Sequence, residues 1–201
     1  HGDADRLVLD RDTKDAGELG WRITAPREDR ADSSAVDRLL GALEFASVVR
    51  KVEGGGSGFD APRATGSIRM GAITHTFVLG GSAPTPEGAS YLRSGDAVFV
   101  VSKDLTKQLL EPGDAYRERT IVPYLSIELS RLEVRAPPAP AIAIERTDEI
   151  GFRFADTKTR VSRERVDRIW GALGEMRAEA FLPESAAAEA IAHPSFVIAM
   201  T

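Results

Sequence analysis

Residues 36–43 read VDRLLGAL and residues 166–173 read VDRIWGAL, with only two apolar residues exchanged for other apolar ones. A packing arrangement that buries one amphipathic helix will also bury a second copy of it, so this recurrence predicts a duplicated structural unit. The flanking segments repeat in the same order. LVLDR at 7–11 and GWRIT at 20–24 precede the first copy, and IAIER at 142–146 and GFRFA at 151–155 precede the second. In both, β-branched and aromatic residues suit short strands. DAPRATGSIRM at 60–70 and AHPSFVIAM at 192–200 each read as an X-Pro turn followed by a strand. The repeated unit is therefore strand, strand, helix, turn, strand.

Local signals place the helix starts and the turns. Val36, Leu39, Leu40 and Leu43 stand at i, i+3, i+4 and i+7, which makes one apolar stripe. Asp32, Ser33 and Ser34 are competent N-caps for it, and Ser162 plays that part before Val166, Ile169, Trp170, Leu173 and Met176. GGGSG at 54–58 reads as a flexible break, after which a meander of short strands is expected. Gly71-Ala72 between 68–70 and 73–79 suits a type II′ hairpin turn, and Ser94-Gly95-Asp96 joins 91–93 to 97–101. Ser102 caps a short helix with Leu105, Leu109 and Leu110, ended by EPGD at 111–114. Residues 126–135 alternate with period two, placing Ile127, Leu129, Leu132 and Val134 across a bulge or a change of face, and APPAP at 136–140 reads as a stiff linker or exposed crossing. The fold expected is α+β: tandem β-β-α-β modules with an antiparallel β-meander, the second module truncated. The domains expected are 1–125 and 126–201.

With 201 residues, 42% of them hydrophobic and 28% charged, the chain can bury a substantial core, and it contains no apolar run long enough to span a bilayer. A net charge of −5 opposes general affinity for nucleic acid, which needs a cationic field to release counterions. Cysteine is absent, so disulfides, thiolate metal sites and thiol nucleophiles are excluded. The chain opens on His1 and not on Met, which suggests a trimmed N-terminus.

Side chains that could carry chemistry are scattered. His75 in AITHTFVL shares a strand face with Ile73, Phe77 and Leu79 and reads as a hydrogen-bonded structural residue. His193 precedes Pro194 in a turn, and no two histidines have metal-ligand spacing. DRDTKD at 10–15 fails as a calcium loop: Lys14 stands fifth, no Gly stands sixth where one is needed, and Trp21 stands twelfth in place of a bidentate Glu. GGGSG lacks the Lys-Ser/Thr of a phosphate loop, and no Ser lies in G-x-S-x-G. Arg160, Arg163, Arg165 and Arg168 are interleaved with Glu164 and Asp167 and read as a solvated helix face. Trp21 and Trp170 occupy repeated apolar positions and read as core. Gly41 and Gly171 are the candidate contact positions, since each stands mid-helix off the apolar stripe, where Gly costs about 1 kcal/mol against Ala. A close approach by a second element or a partner would explain them. No catalytic residue, metal site or cofactor is expected.

The tandem β-β-α unit, the Trp or Phe strand opening each copy, the G-F-D-x-P at 58–62 and the YLRSGDAVFVV hairpin at 91–101 together resemble a bacterial family catalogued as domain of unknown function 4340. The resemblance runs from about Leu7 to about Pro183. It implies an extracytoplasmic protein tethered by one N-terminal transmembrane segment, often encoded beside ABC transporter components of the gliding-motility type. It implies no catalytic residues. The function expected is a non-enzymatic extracytoplasmic scaffold or accessory protein of a membrane ABC transporter system, periplasmic or facing the cell envelope. Protein partners are expected, nucleic acid is not, and the membrane is reached through an anchor preceding His1. The alternatives are a carbohydrate- or peptide-processing enzyme with a site between modules, and a small-ligand-binding module.

Overall fold

The computed structural model describes residues 6–11, 20–45, 48–123, 128–147 and 151–201. Most of the DRDTKD segment, His1 and Ile127 lie outside these residues. The chain divides into two compact units, one ending at Glu118 and the other starting at Arg119. The division falls there because the residues just after it bond within the second unit: Thr120 bridges Arg177, and the Ile121 N–H donates to Met176 O.

In the first unit, β1 (Val8–Arg11) pairs antiparallel with β2 (Trp21–Ala25), which also pairs with the two-residue β3 (Asp29–Arg30). Helix α1 (Ser33–Glu44) follows, with Asp32 as its N-cap accepting from the Ala35 N–H at 3.1 Å. Ile23, Ala31, Ala35, Val36 and Tyr116 form the core here, flanked by Trp21, Leu39 and Leu40. Burial pushes the Tyr116 phenol above its ordinary pKa, with Glu111 adding to the effect, and its O–H donates to Gln108 O.

A five-stranded antiparallel sheet completes this unit. Its strands are β4 (Val48–Val52), β5 (Ala64–Met70), β6 (Ile73–Ser82), β7 (Ser90–Ser94) and β8 (Ala97–Val101), in the order β4-β8-β7-β6-β5. β4 carries no clear alternation, because VVRKV stands at an edge with four of its five residues exposed. Both expected hairpins form. Met70 pairs with Ile73 around Gly71 (φ +61°), and Ser94 pairs with Ala97 around Gly95 (φ +56°), so Ser94 belongs to the strand and not the turn. Positive φ at only the first central residue is the type II′ arrangement. α2 (Lys103–Leu109) is capped by Ser102, whose Oγ accepts from the Leu105 N–H. Leu79, Leu92, Val101 and Leu105 form the core on this face of the sheet.

In the second unit β9 (Arg131–Arg135), β10 (Ile142–Arg146), β11 (Phe152–Phe154) and β12 (Val197–Met200) make a sheet ordered β11-β10-β9-β12. α3 (Arg163–Gly174) contributes Val166 and Leu173 to a core with Val122, Leu129, Leu132, Ile144 and Phe152. APPAP is not a linker between units. It is the exposed connection of the β9–β10 pair, where Val134 faces Ile142. α4 (Glu184–Ala192) was not foreseen, although its alanine content favours helix.

The duplication holds down to single hydrogen bonds. Arg11 pairs with Trp21 across β1–β2 and Arg146 with Phe152 across β10–β11, and each guanidinium lies over its ring, at 5.5 and 4.8 Å from the centroid. The Ala31 N–H donates to Trp21 O, and the Val161 N–H to Phe152 O. Arg22 faces Arg30, and Arg153 bridges Arg160. Val36 and Val166 are both buried on the following helix. Ser162 takes the N-cap position of α3 without the side-chain bond that Asp32 makes in α1. The tails differ: β5 lies on β6 in a separate sheet, whereas β12 lies on β9 beside the repeated hairpin. Their similar sequences reflect only the generic X-Pro-then-strand pattern.

Candidate contact surface and loop cradle

Two features of the first unit stand out. The first is an arm. β6 pairs with β7 only from Phe77 onward, whereas its pairing with β5 runs on to the turn, so among the described residues Ser67–Met70 and Ile73–Thr76 make strand pairs only with each other, with the Ser94 Oγ donating to Thr76 O at their base. Beyond the reach of β7 no third strand among the described residues pairs with this ribbon. Met70 is 59% and Ile73 is 60% exposed at its end. His75 lies on this arm opposite Ile68 and is exposed, which corrects the expectation of a hydrogen-bonded structural histidine. Period-two alternation assigns a residue to a face without telling whether a neighbouring strand or helix reaches it.

The second is a cradle formed by the connection from β4 to β5, the two opposite edges of the sheet. The chain has to cross β8, β7 and β6, and glycine lets it lie flat. A Cβ on Gly56 would stand 2.7 Å from the Tyr91 ring, and one on Gly58 (φ +80°) would stand 2.4 Å from Gly81 N. The Gly81 N–H donates to Ser57 O at 2.8 Å. The second half of GGGSG is thus clamped on β6 and is not a free hinge. Gly55, Gly56, Ser57, Gly58, Phe59, Asp60, Arg93 and Val98 line a concavity of about 530 Å³. Arg93 and Val98 are cross-strand neighbours on β7 and β8, and the Arg93 guanidinium lies 4.7 Å from the Phe59 ring centroid. The G-F-D-x-P segment therefore supplies the rim. Arg93 was not singled out by sequence, since nothing local to β7 reveals that a distant loop crosses it.

Other candidate residues are dispersed. Among the described residues nothing lies within 4 Å of a Cβ built on Gly41 or Gly171, so the close approach inferred from their positions is not made there. Gly41→Ala and Gly171→Ala are each expected to raise stability by roughly 0.5–1 kcal/mol, read by denaturant titration, because both remove unfolded-state freedom without a clash. A loss in either would point to a contact not made by the described residues. His193 is the exposed C-cap of α4. Arg168 pairs with Glu164 at 2.8 Å on exposed helix surface, as the i, i+4 spacing predicts. In the second unit the outward face of the sheet is charged. Hydrogen bonds from Arg135 and Arg131 hold Glu133 below the ordinary carboxylate range, and Lys158 and Arg153 do the same to Glu145. With cations that are 40% or more exposed, these pairs mark a solvated ladder.

The family model described as Domain of unknown function (DUF4340) matches residues 21–193, from the first residue of β2 to the C-cap of α4. The chain belongs to this family. In this DUF4340 member the match takes in both copies of the repeated helix, the arm and the cradle. No curated protein matches the chain, and neither does any solved structure. No helix among the described residues of the DUF4340 chain is long and apolar enough to cross a membrane.

Proposed function

We propose that this protein is a non-enzymatic scaffold or accessory subunit on the extracytoplasmic side of a membrane, working with an ABC transporter and gripping its protein partner through the β5–β6 arm. The observation that carries the docking part is the arm itself, which presents Met70 and Ile73 more than half exposed at the end of a ribbon that, among the described residues, no third strand covers. Apolar side chains grouped at a projecting turn favour burial against another molecule, at about 25 cal/mol per Å² removed from water. The arm is anchored by Phe77 and Leu79, whose side chains join the core of the five-stranded sheet. The transporter and the compartment rest on the family resemblance.

The test is photocrosslinking from position 73 in cells that also express the neighbouring transporter subunits. A crosslink to a transporter subunit is expected, and Met70→Asp with Ile73→Asp should cut co-purification of that subunit at least about tenfold, since two charges would enter an apolar contact. Both positions are exposed, so the thermal midpoint should stay unchanged. Transporter subunits recovered equally with the doubly substituted arm would refute the reading.

A further inference from the structure

We propose that the cradle beneath the β4–β5 crossing binds a small zwitterion, an amino acid or a short peptide, with its carboxylate on Arg93 and its ammonium group on Asp60. The Arg93 guanidinium lies over the Phe59 ring, its Cζ 4.7 Å from the centroid, and the residue is exposed to solvent. Among the described residues no carboxylate pairs with it. A guanidinium held against a ring and without a carboxylate partner can offer two parallel hydrogen bonds to a ligand carboxylate, the geometry in which Arg surpasses Lys. Asp60 lines the same concavity and, among the described residues, has neither an ion-pair nor a hydrogen-bond partner.

The loop supplies further polar capacity. None of the amide N–H groups from Gly55 to Asp60 donates to an acceptor among the described residues, so six successive donors remain for solvent or ligand. Such groups are normally satisfied when a binding partner excludes water. Gly56 and Gly58 leave no room for larger side chains, and the Gly81-to-Ser57 bond holds the loop in place, so the rim exists before a ligand arrives. That lowers the ordering cost of binding. About 530 Å³ falls within the range of small-molecule sites. Charge selects among ligands of that size. One cation and one anion on the same rim repel a phosphate or other dianion from Asp60, whereas a molecule carrying both charges meets both partners. Val98 and the Phe59 ring give its aliphatic part an apolar wall. The arm contributes no residue to this site, so it stands or falls independently of transporter docking.

The experiment is amide-resolved NMR titration of the ¹⁵N-labelled full chain with L-alanine, L-alanyl-L-alanine, N-acetyl-L-alanine, L-alaninamide and inorganic phosphate. Saturable shifts centred on Gly55, Gly56 and Gly58 are expected with alanine, the dipeptide or both, the stronger of the two identifying the ligand as amino acid or peptide. Either capped form should bind about tenfold more weakly, as should Arg93→Gln with alanine, because each removes one charge-assisted contact. Asp60→Asn should abolish the preference for a free amino group and leave the preference for a free carboxylate. Arg93 is exposed, and an unchanged spectrum elsewhere verifies that its variant is folded. The proposal is overturned if no uncapped probe gives saturable shifts at these glycines, if phosphate binds as well as alanine, or if Arg93→Gln leaves the affinity unaltered.

Discussion

Gly58→Ala is expected to lower the stability of the first unit by about 3 kcal/mol, combining the cost of a left-handed backbone with that of overpacking. Gly58 sits at φ +80°, and its added Cβ would stand 2.4 Å from Gly81 N and 2.8 Å from Gly81 Cα. Those atoms are backbone and cannot swing aside as a side-chain tip would. Relief requires the crossing to lift from β6, and lifting it breaks the Gly81-to-Ser57 bond. Gly55→Ala separates the two causes. Gly55 has φ +88° but nothing within 4 Å of an added Cβ, so only the backbone penalty of about 1 kcal/mol applies. Denaturant titration of both variants reads the difference. Equal losses would mean that the loop is not clamped on the strand.

Leu79→Ala should cost about 3–4 kcal/mol in the same measurement. Leu79 has no exposed surface, and it packs in the core with Leu92, Val101 and Leu105, with Phe77 and Phe99 partly buried against them. Truncation there leaves a cavity that a hydrogen-bonded five-stranded sheet cannot close, so the lost contacts add to the lost transfer free energy. The same strand gives the contrast. Ile73, six residues earlier on β6, is 60% exposed, and Ile73→Ala should change stability by no more than about 0.5 kcal/mol. A loss at Ile73 comparable to that at Leu79 would show the arm to be buried, and the docking reading would lose its basis.

The repeated unit was readable because everything that makes it is local. The alternation of Trp21 and Ile23, the stripe from Val36 to Leu43 and the cap at Asp32 lie within a few turns of one another, and their counterparts lie equally close in the second copy. Backbone geometry and hydrophobic period therefore sufficed. The edge strand β4, the two-residue β3 and the alanine-rich α4 were missed for different reasons: exposure erased the alternation of the first, the second is too short to have one, and the third is exposed along most of its length with no apolar stripe. For Gly41 and Gly171 the sequence does not tell which of the two expected contacts applies, because a mid-helix glycine looks the same whether its surface is crowded or open, and no second element of the described chain reaches either.

Apolar spacing and capping residues were enough to set the class of fold, the duplication and both hairpin turns, since each is a contest between conformations of a short segment. The strand order β4-β8-β7-β6-β5 was not open to that reasoning. It follows from which distant segments bury one another, and from it come the crossing that brings Phe59 and Asp60 over Arg93 and the ribbon that outruns β7. Long-range pairing trades loop-closure entropy against area buried across the whole unit, a balance that no stretch of a few residues encodes.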